Sequence, residues 1–113
     1  MNAEEFDKLT DAFLADLRGL QKTKGAEYCG STDDRFGNFK RGADAIGLTP
    51  ETVLWIYLSK HIDSLATYVK QLTDGSSLRD IESKLSEPIE GRIKDAINYL
   101  LLLAGLTAER RKA

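Results

Sequence analysis

The stretch Glu87-Pro-Ile-Glu-Gly-Arg-Ile-Lys-Asp-Ala-Ile-Asn-Tyr99, running into Leu100-Leu-Leu-Leu-Ala-Gly-Leu106, decides the fold class. Ile89, Ile93, Ala96, Ile97, Leu100, Leu101 and Ala104 recur at three- and four-residue spacing, the period of a helix that buries one stripe. By the same arithmetic Glu87, Gly91, Asp95 and Asn98 share another face. A carboxylate and an amide beside a buried stripe are candidates for site-building; the alternative is that Asp95 and Asn98 face water.

Working back from this helix, Ser77–Ser86 carries Leu78, Ile81 and Leu85 and reads as a short helix or ordered linker. Ser86 is the expected start of the last helix, with Pro88 tolerated in its first turn and the end near Arg110. Before the Asp74-Gly-Ser-Ser turn, Thr49-Pro-Glu is a helix start: a hydroxyl cap, proline at the first helical position and an acid on the dipole. The spacing predicts a helix from Pro50 to about Thr73. Its apolar set is Val53, Leu54, Ile56, Leu58, Ile62, Leu65, Ala66, Val69 and Leu72, an arc wide enough for a helix that is central or covered on two sides. Trp55 is a candidate for core or interface.

The same helix bears a second stripe, Tyr57, His61, Ser64 and Tyr68, flanked by Lys60 and Asp63. His61 is the lone histidine. Such a residue serves as a hydrogen-bonded structural group or, among tyrosines, a hydroxyl and a lysine, as part of a polar pocket.

At the other end, Asn2 and Glu5 form a capping-box pattern. Phe6, Leu9, Phe13, Leu17 and Leu20 predict a helix to Lys22 or Lys24, with Gly25 as its stop. The segment from Lys24 to Asp34 reads as a loop that holds Lys24, Glu27 and Tyr28. Asp33 or Asp34 can cap a short helix from Arg35 to Ile46, with Phe36, Phe39, Ala43 and Ile46 inward. Arg35, Asn38, Lys40 and Arg41 lie on or beside its other side. Three cations there suit a phosphate, to which arginine offers two parallel donors.

These elements give an all-α bundle of three long helices and one or two short ones, in a single domain over residues 1–113. Sixteen basic against eighteen acidic residues leave a net charge of −2, so no nucleic-acid polymer or acidic membrane is expected as partner. The single Cys29 rules out an intramolecular disulfide and a Cys-rich zinc site and suits a reducing cytoplasm. The acidic, amphipathic N-terminus is no signal peptide, and no apolar run reaches the ~20 residues of a membrane span. No P-loop, GxGxxG, HExxH, GxSxG or zinc-spaced Cys/His pattern occurs.

What remains is a carboxylate-and-cation constellation. Glu87, Glu90 and Asp95, with Glu27, can converge on Mg²⁺, which prefers oxygen ligands and shares its sphere with substrate phosphates. Lys24, Arg35 and Lys60 can balance phosphate charge, and Tyr28, Trp55, Tyr57 or Phe39 can stack on a base.

Lys24-Gly-Ala-Glu-Tyr-Cys-Gly-Ser31, the Glu87-Pro-Ile-Glu spacing to Asp95, and Asp95-Ala-Ile-Asn-Tyr99 resemble the phage and bacterial "nucleotide modification associated" helical proteins. These are distant relatives of the MazG-like all-α nucleoside triphosphate pyrophosphohydrolases. The resemblance implies a MazG-like helical homo-oligomer with a nucleotide pocket between helices and, for the hydrolases, Mg²⁺ held by carboxylates on two helices. Glu87 and Asp95 match acidic positions as metal ligands, Asn98-Tyr99 match the Asn-Tyr pair, and Glu27-Tyr28 match an acid followed by tyrosine. Glu27 and Asp95 are then the catalytic candidates. Lys24, Tyr28, Arg35, Asn38, Tyr57, Lys60, His61, Ser64, Asn98 and Tyr99 are the nucleotide-binding candidates. Two positions depart from the family. Gly91 stands where an acid is expected, and Lys60, His61 and Asp63 stand where an earlier Glu-x-x-Glu pair belongs. A metal site short of oxygen ligands holds Mg²⁺ weakly, so nucleotide binding without turnover leads, Mg²⁺-dependent hydrolysis follows, and a purely structural oligomerisation module is third.

Overall fold

The computed structural model describes residues 1–29 and 34–113, the side chains of residues 26–29 excepted. All regular structure among the described residues is helical: α1 (Ala3–Cys29), α2 (Gly37–Ile46), α3 (Pro50–Thr73), α4 (Leu78–Glu82) and α5 (Ile89–Lys112). Three long helices and two short ones are present among the described residues, within the expected three long and one or two short. Among the described residues no helix is long and apolar enough to cross a membrane.

Local chemistry explains most of the helix ends. The capping box closes α1 reciprocally: Glu5 N–H donates to Asn2 Oδ1 at 2.8 Å, and Asn2 N–H to Glu5 Oε2 at 3.1 Å. Thr49 accepts from Thr52 N–H ahead of Pro50, and α3 has the bounds its sequence predicts. Gly47, at φ 68°, closes α2 in the left-handed conformation that glycine adopts without strain.

Three boundaries differ from the sequence expectation. Gly25 does not stop α1, which continues to Cys29. A glycine in mid-helix costs only about 1 kcal/mol, and its missing side chain is used for packing, as shown below. Asp34 does not cap α2 directly. Its side chain accepts from Phe36 N–H at 2.9 Å and shapes the turn before the helix. Ser86 does not open α5: Pro88 disfavours helical backbone at the residue before it, and the helix starts after it. The orphan N–H of Ile89 donates to Glu82 Oε2 of α4 at 3.0 Å.

The core lies where α3 and α5 pack against each other, with α2 against α3. Phe39 and Ala43 of α2, Val53, Leu54 and Leu58 of α3, and Ala96, Tyr99 and Leu106 of α5 form one cluster. The two long helices run antiparallel: Arg92 of α5 reaches Ser64 of α3, whereas Arg110 reaches Glu51 at the other end. α1 crosses α5 at the level of Lys94 and Asp95, which pair with Asp16 and Lys24.

The buried stripes are narrower than the sequence arcs. On α5, Leu100, Leu101 and Ala104 are exposed, whereas Ile89, Ala96, Asn98, Tyr99 and Leu106 are buried. On α3, Ile56, Ile62, Ala66, Val69 and Leu72 are exposed, so this helix is covered on one side within the chain. On α1, Phe6 and Leu9 are also exposed, and only Leu17 of its stripe is fully buried. Periodicity finds apolar faces; whether the same chain covers them is a separate matter.

The far end of the bundle is clamped by charge. Lys40 meets Asp34 at 2.6 Å and Glu109 at 2.7 Å, and Arg110 donates Nη2 to Glu51 at 3.0 Å and Nε to the other carboxylate oxygen. The Lys40 hydrogen bond, then the Phe36 N–H, hold Asp34 below its ordinary carboxylate value, and Arg110 does the same for Glu51. Hydrogen bonds to Asp34 and then Glu109 raise Lys40.

Two outcomes are expected. Leu54 is 0% exposed, so Leu54→Ala should cost about 2–5 kcal/mol in urea unfolding. The lowered carboxylates stabilise the fold fully above their unfolded pKa of about 4, and that contribution is lost as pH falls through their folded values. The raised Lys40 acts in the opposite sense: its contribution is present below the unfolded lysine pKa and is lost as pH rises through its folded value. Urea midpoints measured from about pH 7 to about pH 3 should therefore fall on acidification, and less so in Glu51→Gln.

Candidate functional site

Residues 18, 22 and 25 follow one another at helical spacing on α1, and 98, 101 and 102 do so on α5. Between these faces lies a cavity of about 300 Å³, lined by Arg18, Gln21, Lys22 and Gly25 of α1, Arg35 and Phe36 of the turn before α2, and Asn98, Leu101 and Leu102 of α5. Three of the lining residues are cations and none is a carboxylate.

Gly25 positions the arginine. A Cβ at this position would collide with the Arg35 guanidinium, which lies across the α1 backbone. There Arg35 Nη1 donates to the Gln21 carbonyl at 3.0 Å, leaving the other donors of its fork available. Arg18 Nη1 donates to Gln21 Oε1 at 3.1 Å. Asn98 is 5% exposed and lines the cavity. Phe36, Leu101 and Leu102 give the cavity an apolar wall. A charged floor, one amide and an apolar wall suit a small anion with an apolar or aromatic part.

The carboxylate candidates lie in another cavity, of about 440 Å³, lined by Asp16, Gly19, Leu20, Thr23, Lys24, Glu87, Gly91, Lys94 and Asp95. Glu87 and Asp95 are brought together here, as their spacing suggests. The glycine at position 91, where an acid is expected, makes room for Glu87: a Cβ would stand 2.5 Å from Glu87 Oε2. Two of the three carboxylates among this cavity's described lining residues, Asp95 and Asp16, already face cations. Asp95 Oδ1 lies 3.5 Å from Lys24 Nζ, its Oδ2 lies 4.0 Å from His61 Nδ1, and Asp16 pairs with Lys94 at 3.2 Å. Among the described residues no group of three His, Cys, Asp or Glu side chains could hold a metal ion. The donors here do not fit Mg²⁺, which needs a near-octahedral oxygen shell.

The polar stripe of α3 is divided rather than gathered. His61 packs against Tyr99, centroids 5.2 Å apart, beside Asp95. Tyr57 stacks on Tyr99 at 6.3 Å with 12° between planes and meets Phe39 edge-on; its outer face lies under Lys60. Ser64 accepts a hydrogen bond from Arg92, and both line a separate groove with Lys60 and Tyr68. Asn38 accepts from Arg41, away from the cationic cavity. Glu27 and Tyr28 fall on the last turn of α1, and their side chains lie outside the described part of the structure.

Of the expected nucleotide-binding residues, then, Arg35 and Asn98 meet in one cavity. Lys24 is engaged by Asp95, and Lys60 belongs to the α3 groove. Arg18 and Lys22 complete the site and were not expected. Their signal is in the sequence: two cations four residues apart on the polar side of α1, followed by Gly25 at the next turn.

No protein-family model, no curated protein and no solved structure matches this chain.

The Lys24–Asp95 contact is expected to be structural and modest, since Lys24 is about one-third exposed. A double-mutant cycle of Lys24→Met and Asp95→Asn, read by urea unfolding, should give a coupling of about 1 kcal/mol or less.

Proposed function

We propose that this protein binds a phosphorylated nucleotide in the cavity between α1, the turn before α2, and α5, and holds it without turnover. One observation carries the reading. Among the described residues, Arg18, Lys22 and Arg35 line a cavity of about 300 Å³ whose lining holds no carboxylate and includes the amide of Asn98.

The phosphate would sit on the three cations. Arg35 retains parallel donors for two of its oxygens, and Arg18 and Lys22 neutralise the remaining charge. The base or sugar would lie against Phe36, Leu101 and Leu102. Asn98 offers both a donor and an acceptor to its polar edge. The cavity volume is at the small end of the range for ligand sites, which suits a mononucleotide better than a polymer. The resemblance to the nucleotide modification associated proteins supports the same reading, because Asn98 is the first residue of their Asn-Tyr pair. On this reading the bundle is a variant of the MazG-like one, working in the cytoplasm.

Binding is favoured over Mg²⁺-dependent hydrolysis by the second cavity. A metal-activated attack needs several free carboxylates, whereas Asp95 and Asp16 are both matched by lysines and leave Glu87 alone among the described acids of that cavity. No catalytic step is assigned to Asp95 or Glu87.

The test is a thermal-shift and calorimetric screen of nucleoside mono- and triphosphates and cyclic nucleotides, with and without Mg²⁺, with analysis of the ligand recovered after denaturation. Stabilisation of about 2.7 kcal/mol is expected at a hundredfold excess over Kd, with the ligand returned intact. A hydrogen bond to a charged group contributes about 1.5–3 kcal/mol, so Arg35→Ala should weaken binding roughly tenfold or more. A flat screen would remove nucleotide binding and leave the structural module; recovered product would establish hydrolysis instead.

A further inference from the structure

Trp55, Ser59, Ile62, Ala66, Val69 and Thr73 recur along α3 at alternating spacings of four and three, the heptad pattern of a helix-pairing seam. The chain does not cover this seam itself: Trp55 is 58%, Ile62 46% and Val69 58% exposed. Around Ile62, Ala66 and Val69 the surface is an open apolar groove.

We infer that this face of α3 binds the same face of a second copy of the chain, antiparallel about a two-fold axis at the level of position 64. Three observations identify the occupant. The first is surface area. A compact monomer of 12.6 kDa exposes about 6,200 Å², whereas this chain exposes 7824 Å². The excess over the whole chain, to which the exposed first turns of α1 also contribute, is about 1,600 Å² and leaves room for the ~800 Å² per partner of a standard interface. The radius of gyration, 16.6 Å, likewise exceeds the ~13 Å expected for this length.

The second is self-complementarity. In antiparallel register about position 64, Trp55 faces Thr73 of the other copy, Ser59 faces Val69, and Ile62 faces Ala66. Every layer sets a large side chain against a small one, which is how facing helices interdigitate without voids. A two-fold axis makes each layer occur twice, as an isologous interface requires.

The third is polar satisfaction. The two hydroxyls of the seam are already bonded within the helix: Ser59 Oγ donates to the Trp55 carbonyl at 2.8 Å and Thr73 Oγ1 to the Val69 carbonyl at 3.1 Å. Both can enter an apolar interface with their donors bonded.

Sedimentation of the full chain at micromolar concentration tests the pairing. The expected mass is twice 12.6 kDa; a monomer throughout would overturn the inference. Ile62→Glu, at an exposed position, should sediment as a monomer with unchanged helical circular dichroism, and persistence of the dimer would overturn it. Register is tested by oxidative cross-linking in a Cys29→Ser background. Ser59→Cys chains mixed with Val69→Cys chains should cross-link. Ser59→Cys alone should not, because ten residues of offset separate the two copies by about 15 Å, beyond disulfide reach. Cross-linking of Ser59→Cys to itself would indicate parallel pairing and overturn the antiparallel arrangement.

Discussion

The burial of Leu54 and Leu58 beneath α5 is the constraint on which everything else rests. These are the largest side chains fully removed from water, and they fix α3 against Ala96, Tyr99 and Leu106. Because helix side chains repeat every three to four residues, that choice sets every other face of α3 and α5. On α5 it turns Asn98 toward α1 and Asp95 toward Lys24. On α3 it directs the Trp55 face outward. The cationic cavity and the exposed seam are both consequences of one packing decision.

Charge is distributed so that the two cavities beside α1 differ in kind. Lys24, Lys94, Asp95 and Asp16 pair off in one, and their fields largely cancel. Arg18, Lys22 and Arg35 are gathered in the other, with no acid among its described lining residues. In a recess with low-dielectric walls, uncompensated charges of one sign raise the local concentration of oppositely charged solutes. The distinction rests on geometry rather than on composition, since the chain as a whole is slightly acidic.

The sequence made the helices legible because their chemistry is local. Thr49-Pro50, Asn2 with Glu5, and Gly47 each act within one turn, and periodicity supplied the rest. It overestimated the core because an apolar face left exposed has the same pattern as one turned to the interior: Ile62 and Val69 read like Leu54 and Leu58. Gly25 misled in the opposite way. A glycine between two polar segments reads as a helix stop, yet here its absent Cβ admits an arginine ten residues further on. The site was half legible. Arg35 and Asn98 were found through a basic cluster and a resemblance. Arg18 and Lys22 were missed because surface cations on an amphipathic helix are common, and only their placement opposite α5 distinguishes them. Glu87 and Asp95 share a cavity as expected, but no spacing rule could show that Lys24 of α1 would face Asp95 there.

The first three turns of α1 bring a different property. From Ala3 to Ala12 only Thr10 is even partly buried, so these turns are held by the capping box, the Glu4–Lys8 pair and their own backbone. Short helices supported only by local terms are marginal in water. This segment therefore belongs to the low end of the protein's local-unfolding spectrum, with amide exchange far faster than that of Leu54 or Tyr99. The helix that carries Arg18 and Lys22 is thus rigid where it crosses α5 and can fray toward its start without disturbing the cavity.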